Sequence, residues 1–230
     1  MAKVRMGTLA GQVSGSIGAT VFSHGRAGAY VRQRSIPVTS TTTYAMQAKE
    51  RFAAASVHWG GMTEALRLSW GEWAKANPYT DRLGEKRTLD GHAAYCKLGT
   101  RLLIMGVALP STPPAAAGPL ALSVLSATGD IGAGVVSAVF TATPQPAGTC
   151  LWLWACVSDT ASQKYVKNRL KLVYTSGDAQ TSPWDIQAVV EARLGTLVVG
   201  QQLTIQVAVC SATNGQMSLP LRADVVLTHT

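Results

Sequence analysis

Pro110-Ser111-Thr112-Pro113-Pro114-Ala115-Ala116-Ala117-Gly118-Pro119 holds four prolines in ten residues and no charge. Proline fixes φ and cannot donate a backbone hydrogen bond, so this run reads as an extended, semi-rigid spacer. The hydrophobic pattern changes across it. Before the run, apolar residues recur every three or four positions; after it come short β-rich runs separated by turns. The expected architecture is α+β in four parts: a basic, Gly-rich arm with a β-hairpin (1–42), a helical segment (43–109), the linker (110–119) and an all-β sandwich of immunoglobulin or fibronectin type (120–230).

On the C-terminal side the runs fall at 120–125, 134–143, 149–158, 169–175, 186–194, 203–211 and 217–227. Seven strands at this spacing fit a two-sheet sandwich. Cys150-Leu151-Trp152-Leu153-Trp154-Ala155-Cys156-Val157 is apolar on both faces, which predicts either a central strand or an outer face covered by another subunit. The 204–209 run alternates polar with apolar, as a half-buried strand does. The Cys-Trp-Cys pattern of antibody domains is not evident, and an intracellular assembly does not need it.

On the N-terminal side Ala45, Ala48, Phe52, Ala55 and Trp59 follow helical spacing. A second helix is predicted from about Thr63, with Leu66, Trp70, Trp73 and Ala74 on one stripe and Asn77-Pro78 ending it. A third is predicted after Asp90 as cap, with Ala94, Leu98, Leu102 and Met105 inward and Gly106 at its end. Trp59, Trp70 and Trp73 read as the core of this segment rather than as a ligand box.

The charge is unevenly shared. Residues 1–110 hold 14 Lys or Arg against 6 Asp or Glu, and residues 111–230 hold 6 against 6, so the whole net charge of +8 lies before the sandwich. The first acid is Glu50, leaving Lys3, Arg5, Arg26, Arg32, Arg34 and Lys49 unopposed in sequence. Runs at 19–23 and 29–34 predict a hairpin turning at His24-Gly25-Arg26-Ala27-Gly28, with Tyr30, Arg32 and Arg34 on one face. A two-stranded ribbon is marginal in water and needs a partner, either this chain's own helices or another chain. Arg26, Tyr30, Arg32 and Arg34 are therefore the candidate partner-binding residues. An acidic protein surface is favoured over nucleic acid, because the cations are dispersed and only Phe22, Tyr30 and Tyr44 are interleaved with them.

Chemistry for catalysis is sparse. His24, His58, His92 and His229 form no HExxH, HxH or triad pattern, and the glycines at 11–18 are not followed by the Lys-Ser/Thr of a phosphate-binding loop. Most of the acids after residue 110 fall in predicted turns or strand ends. Cys96, Cys150, Cys156 and Cys210 contain no CxxC and are read without a histidine at metal-ligand spacing; Cys150 and Cys156 are too far apart on one strand to bridge. No catalytic residue, cofactor or metal is expected. The best candidate for a membrane span, 102–109, is too short, and the basic N-terminus lacks the apolar region of a secretory signal.

Gly15-Ser16-Ile17-Gly18-Ala19-Thr20-Val21-Phe22-Ser23 and Arg26-Ala27-Gly28-Ala29-Tyr30-Val31-Arg32-Gln33-Arg34-Ser35-Ile36-Pro37 resemble the opening of an uncharacterised group of virion structural proteins of tailed bacteriophages and prophages. Arg51-Phe52, Trp59, Trp70, Trp73, Gly84 and residues 91–95 are similar to its helical part, so the resemblance covers about the first 105 residues. It departs after Pro37, where Val38-Thr39-Ser40-Thr41 replaces an expected Asn-Pro. The resemblance implies a many-copy virion component, assembled in the host bacterial cytoplasm, whose C-terminal domain is an appendage. The leading expectation is a capsid decoration or cement protein that binds the major capsid protein, other virion subunits or copies of itself. A tail, connector or fibre-attachment component is the alternative, and a nucleic-acid-binding protein is the third reading.

Overall fold

The computed structural model describes residues 2–3, 13–25, 28–35, 41–80, 84–115, 117–160, 163 and 165–229. It is a mixed α+β structure whose chain divides into two compact units, Met1–Met46 and Gln47–Thr230. The division does not fall at the proline-rich run. The expected boundary at 110–119 lies inside the second unit, which holds most of the helical segment and the β-rich region together.

The first unit contains β1 (Ala2–Lys3), β2 (Gly15–Ile17), β3 (Thr20–Gly25) and β4 (Gly28–Gln33). They form one antiparallel sheet in the order β1-β4-β3-β2. The predicted ribbon is thus the centre of a four-stranded sheet. β2 is joined to β3 through Gly18 and Ala19, and Gly18 sits in the left-handed region at φ +57°, which a side chain would resist. Residues 26–27 of the predicted hairpin turn, Arg26 included, lie outside the described residues.

The second unit takes in most of α1 (Thr43–Gly60), then α2 (Glu64–Ala76), the short ladder of β5 (Tyr79–Thr80) with β6 (Lys86–Arg87), and α3 (Gly91–Ile104). Thr63 and Asp90 occupy the N-cap positions of α2 and α3 with extended backbone, although neither side chain bonds the helix. Gly106 ends α3 at φ +73°: its N–H reaches Leu103 O at 3.3 Å and the Val107 N–H reaches Leu102 O at 2.9 Å, a Schellman closure. Ala55, Met62, Trp70, Tyr95, Cys96 and Leu98 make the helical core, with Trp59, Leu66 and Trp73 packed on it. Phe52 departs from the expected inward stripe and is 54 % exposed. A β-carbon on Gly91 would lie 2.9 Å from Gly71 N, so two facing glycines allow α2 and α3 to touch backbone to backbone.

Beyond the proline-rich run, β7 (Val124–Asp130), β8 (Val135–Thr141), β9 (Thr149–Ser158), β10 (Lys171–Asp178), β11 (Trp184–Asp185), α4 (Gln187–Leu194), β12 (Gln202–Ser211) and β13 (Leu221–Val226) follow in order. One sheet runs β11-β8-β7 and the other β10-β9-β12-β13, and all pairings are antiparallel. Val136 and Phe140 of β8, Leu151 and Leu153 of β9, and Ile205 and Val207 of β12 share one buried core. The predicted 186–194 strand is α4. Ile186, Val189, Val190 and Leu194 repeat at helical rather than alternating spacing, with Ile186 and Val190 fully buried.

β9 lies between β10 and β12, as a strand apolar on both faces requires. Its second face is covered within the chain: Trp152 and Cys156 are buried, as are Ala208 and Cys210 on β12. The helices hold on to this region through the connection after β12. Arg101 Nη1 donates to Gly215 O at 3.1 Å, and Gly215 lies against the Leu98 carbonyl. That contact joins the helices and the sheets within the second unit.

Candidate interaction surface

Register assigns two unlike faces to the N-terminal sheet. Tyr30 pairs with Ser23 and Arg32 with Val21, which in turn pairs with Ser16 on β2; side chains directly opposite one another share a face. Tyr30 and Arg32 are therefore side by side on one face, with Arg34 next in the same alternation. The Arg34 backbone N–H bonds Ala19 O at 2.7 Å, which extends the ladder to that residue. On the other face Phe22 pairs with Val31, His24 with Ala29, and Ile17 with Thr20; Ile17 is 71 % exposed.

None of the described residues 13–24 and 28–35 is buried. Arg32 and Arg34 are exposed, Tyr30 is half-buried, and among the described residues neither arginine is held by an ion pair or a side-chain hydrogen bond. Three of the four candidate residues are thus brought together: Tyr30, Arg32 and Arg34. This face can take a planar acid by the bidentate geometry of guanidinium and an apolar stem on the Tyr30 ring. β1 and β2 edge the sheet as two- and three-residue strands, leaving little backbone ladder for an incoming strand, so recognition falls to side chains.

The chain matches no protein-family model and no curated protein.

Aromatic, histidine and thiol side chains meet between α1 and α3. Tyr95 Oη and His58 Nδ1 are 2.7 Å apart, their rings stack at 5.9 Å, and Trp59 leans on both Tyr95 and His92. His92 Nε2 lies 3.3 Å from Cys96 Sγ. This corrects the reading that no histidine neighbours a cysteine at useful spacing: His92 and Cys96 are one helical turn apart, a signal present in the sequence. The pair has no orienting acceptor behind the imidazole among the described residues, so the nucleophile–base–orienter chain is incomplete. Among the described residues no three His, Cys, Asp or Glu side chains gather as metal ligands.

All four cysteines are free and buried. Cys150 stands directly across from Cys210 on the β9–β12 ladder. Burial pushes the Cys210 thiol up from 9.0 to about 12, against the opposing pull of Arg101, and the Cys150 thiol is also raised by burial, then by Asp178. Tyr95 is pushed up from 10.0 to about 12, chiefly by burial. Each group keeps its proton in the folded state at a pH where the unfolded chain has released it. The native state then binds more protons, and stability falls as pH rises from about 9 toward about 12. The urea midpoint is expected to be clearly lower near pH 10.5 than near pH 8; an unchanged midpoint would show that these groups ionise freely in the folded protein.

Proposed function

We propose that the protein is a structural component of a tailed-bacteriophage virion, a capsid decoration or cement protein that grips neighbouring capsid subunits through its N-terminal sheet. The observation that carries the reading is a four-stranded sheet with no buried residue among those described and an unopposed Tyr30-Arg32-Arg34 row. The exposed Ile17 shares a face with Phe22 and Val31, which leaves apolar surface available to a partner. The partner surface would offer carboxylates to the arginine row. The role is binding rather than catalysis, and the site of action is the assembled particle.

The second unit supports a finer reading of residues 120–230 as an immunoglobulin/fibronectin-like sandwich. With β7, β8, β9, β10, β11, β12 and β13 taken as successive strands, the first, second and fifth make one sheet. The third, fourth, sixth and seventh make the other, with the fourth added to the edge of the third as in fibronectin-type domains. α4 directly after the two-residue β11 is the departure from that plan.

The test is co-sedimentation of the purified protein with assembled phage shells. Arg32→Glu with Arg34→Glu is expected to reduce retention on shells by at least tenfold at about 0.1 M salt while leaving thermal stability unchanged, because both side chains are exposed and without protein partners among the described residues. Retention equal to that of the parent chain would overturn the reading. Retention on free double-stranded DNA, with a steep salt dependence, would transfer the arginine row to phosphate recognition.

A further inference from the structure

A cleft of about 180 Å³ opens between α2, α3 and the connection after β12. Lys97 and Arg101, one turn apart on α3, lie in its wall together with Trp73, Tyr79, Leu98 and Met217, and no acidic residue lines it. The Lys97 ammonium sits 5.5 Å from the centre of the Tyr79 ring. Among the described residues it has no hydrogen bond and no ion pair. Arg101 gives one N–H to Gly215 O at 3.1 Å, and its remaining donors find no acceptor among the described residues.

Two like charges one helical turn apart repel; Lys97 is exposed and Arg101 half-buried, so both heads are open to an incoming group. Both pKa values are lowered, first by desolvation; for Lys97 the neighbouring Arg101 adds to the effect. An arrangement of this kind is relieved by an anion between the two heads. Apart from Asn77 and Gln216 the remaining wall is apolar or aromatic, so the anion should be attached to an apolar body.

We propose that this cleft is a binding site for a carboxylate carried on a short apolar stem, with Lys97 and Arg101 holding the carboxylate and Trp73, Tyr79 and Met217 covering the stem. The site stands apart from the N-terminal sheet and does not depend on the virion reading. Its ligand is either a free organic acid or the C-terminal residue of a polypeptide, since both present the same group.

The experiment is a titration of the full chain with benzoate, with benzamide as its neutral counterpart, followed by protein chemical shifts. Benzoate is expected to bind at least tenfold more tightly than benzamide and to shift the resonances of Trp73 and Tyr79. Lys97→Gln, which removes no protein hydrogen bond among those described, is expected to weaken benzoate roughly tenfold without lowering the melting temperature. A second arm compares an acetylated dipeptide ending in a free-carboxylate leucine with its C-terminal amide. Tighter binding of the free-carboxylate dipeptide than of benzoate assigns the carboxylate to a polypeptide end, and the reverse order assigns it to a free acid. Equal affinity for benzoate and benzamide, or a Lys97→Gln protein that binds benzoate as the parent does, overturns the proposal.

Discussion

Trp70→Ala is expected to cost about 3–5 kcal/mol, as large-to-small replacements in a closed core do. Trp70 is fully buried at the centre of the helical core, edge-on to Tyr95 at 5.1 Å and to Trp73 at 5.8 Å. Its Nε1 donates to Ser111 O at 3.0 Å, so the ring both fills the space between the helices and ties down the start of the proline-rich run. Removing it opens a cavity and deprives that carbonyl of its partner. For a unit of this size the loss corresponds to a fall of roughly 6–20 °C in melting temperature, read by calorimetry. The form of the transition carries further information. Gln47–Thr230 is one compact unit, so a single cooperative transition should move downward as a whole. An early melt of the helices with an unmoved second transition would restore the picture of two bodies joined by a spacer. Trp70→Phe should lose less, because it keeps an aromatic ring in the core while removing the bond to Ser111.

The parts legible in the sequence were those governed by local rules. The three helices before the proline-rich run follow 3.6-residue periodicity; Gly106 marks a helix end through its local left-handed closure, while Thr63 and Asp90 stand at N-cap positions by backbone conformation without a side-chain bond. The strand at 149–158 was equally plain, since residues 150–157 form a short, continuously apolar run of the kind a strand covered on both faces shows. Local rules were also present but outweighed at α4. Ile186, Val189 and Val190 are β-branched, and their residue type pointed to a strand while their spacing pointed to a helix.

What stayed hidden depends on distant pairing. β2 is three residues of Gly15-Ser16-Ile17, too short and too Gly-rich for any periodicity, and it becomes a strand because β3 offers it a ladder. Cys150 and Cys210 are sixty positions apart in sequence yet stand opposite each other through the β9–β12 register. Of the candidate surface, Tyr30, Arg32 and Arg34 were readable because alternation along one strand sets their common face. The Lys97–Arg101 cleft was not, because its other wall comes from beyond β12.

That distant wall is what Gly215→Ala would test. Gly215 is buried, holds φ at +72°, and approaches α3 so closely that an added β-carbon would lie 2.5 Å from the Leu98 carbonyl oxygen and 3.2 Å from its carbon. Two costs therefore combine. The left-handed conformation costs a side chain about 1 kcal/mol, and forcing a methyl against backbone that cannot rotate away costs a further 1–3 kcal/mol. Gly134→Ala separates them. Gly134 has φ +65°, but its added β-carbon would meet nothing within 4 Å, so it should lose only the conformational part. The expected result is a chemical-denaturation stability loss for Gly215→Ala exceeding that of Gly134→Ala by about 1–3 kcal/mol. The excess measures how firmly the connection after β12 is seated on α3, where Arg101 also reaches Gly215 O. Equal losses at the two glycines would mean that the connection lifts away from α3 to admit the methyl group, and the helices and sheets would then be held together by the proline-rich run and its bond from Trp70 rather than by this contact.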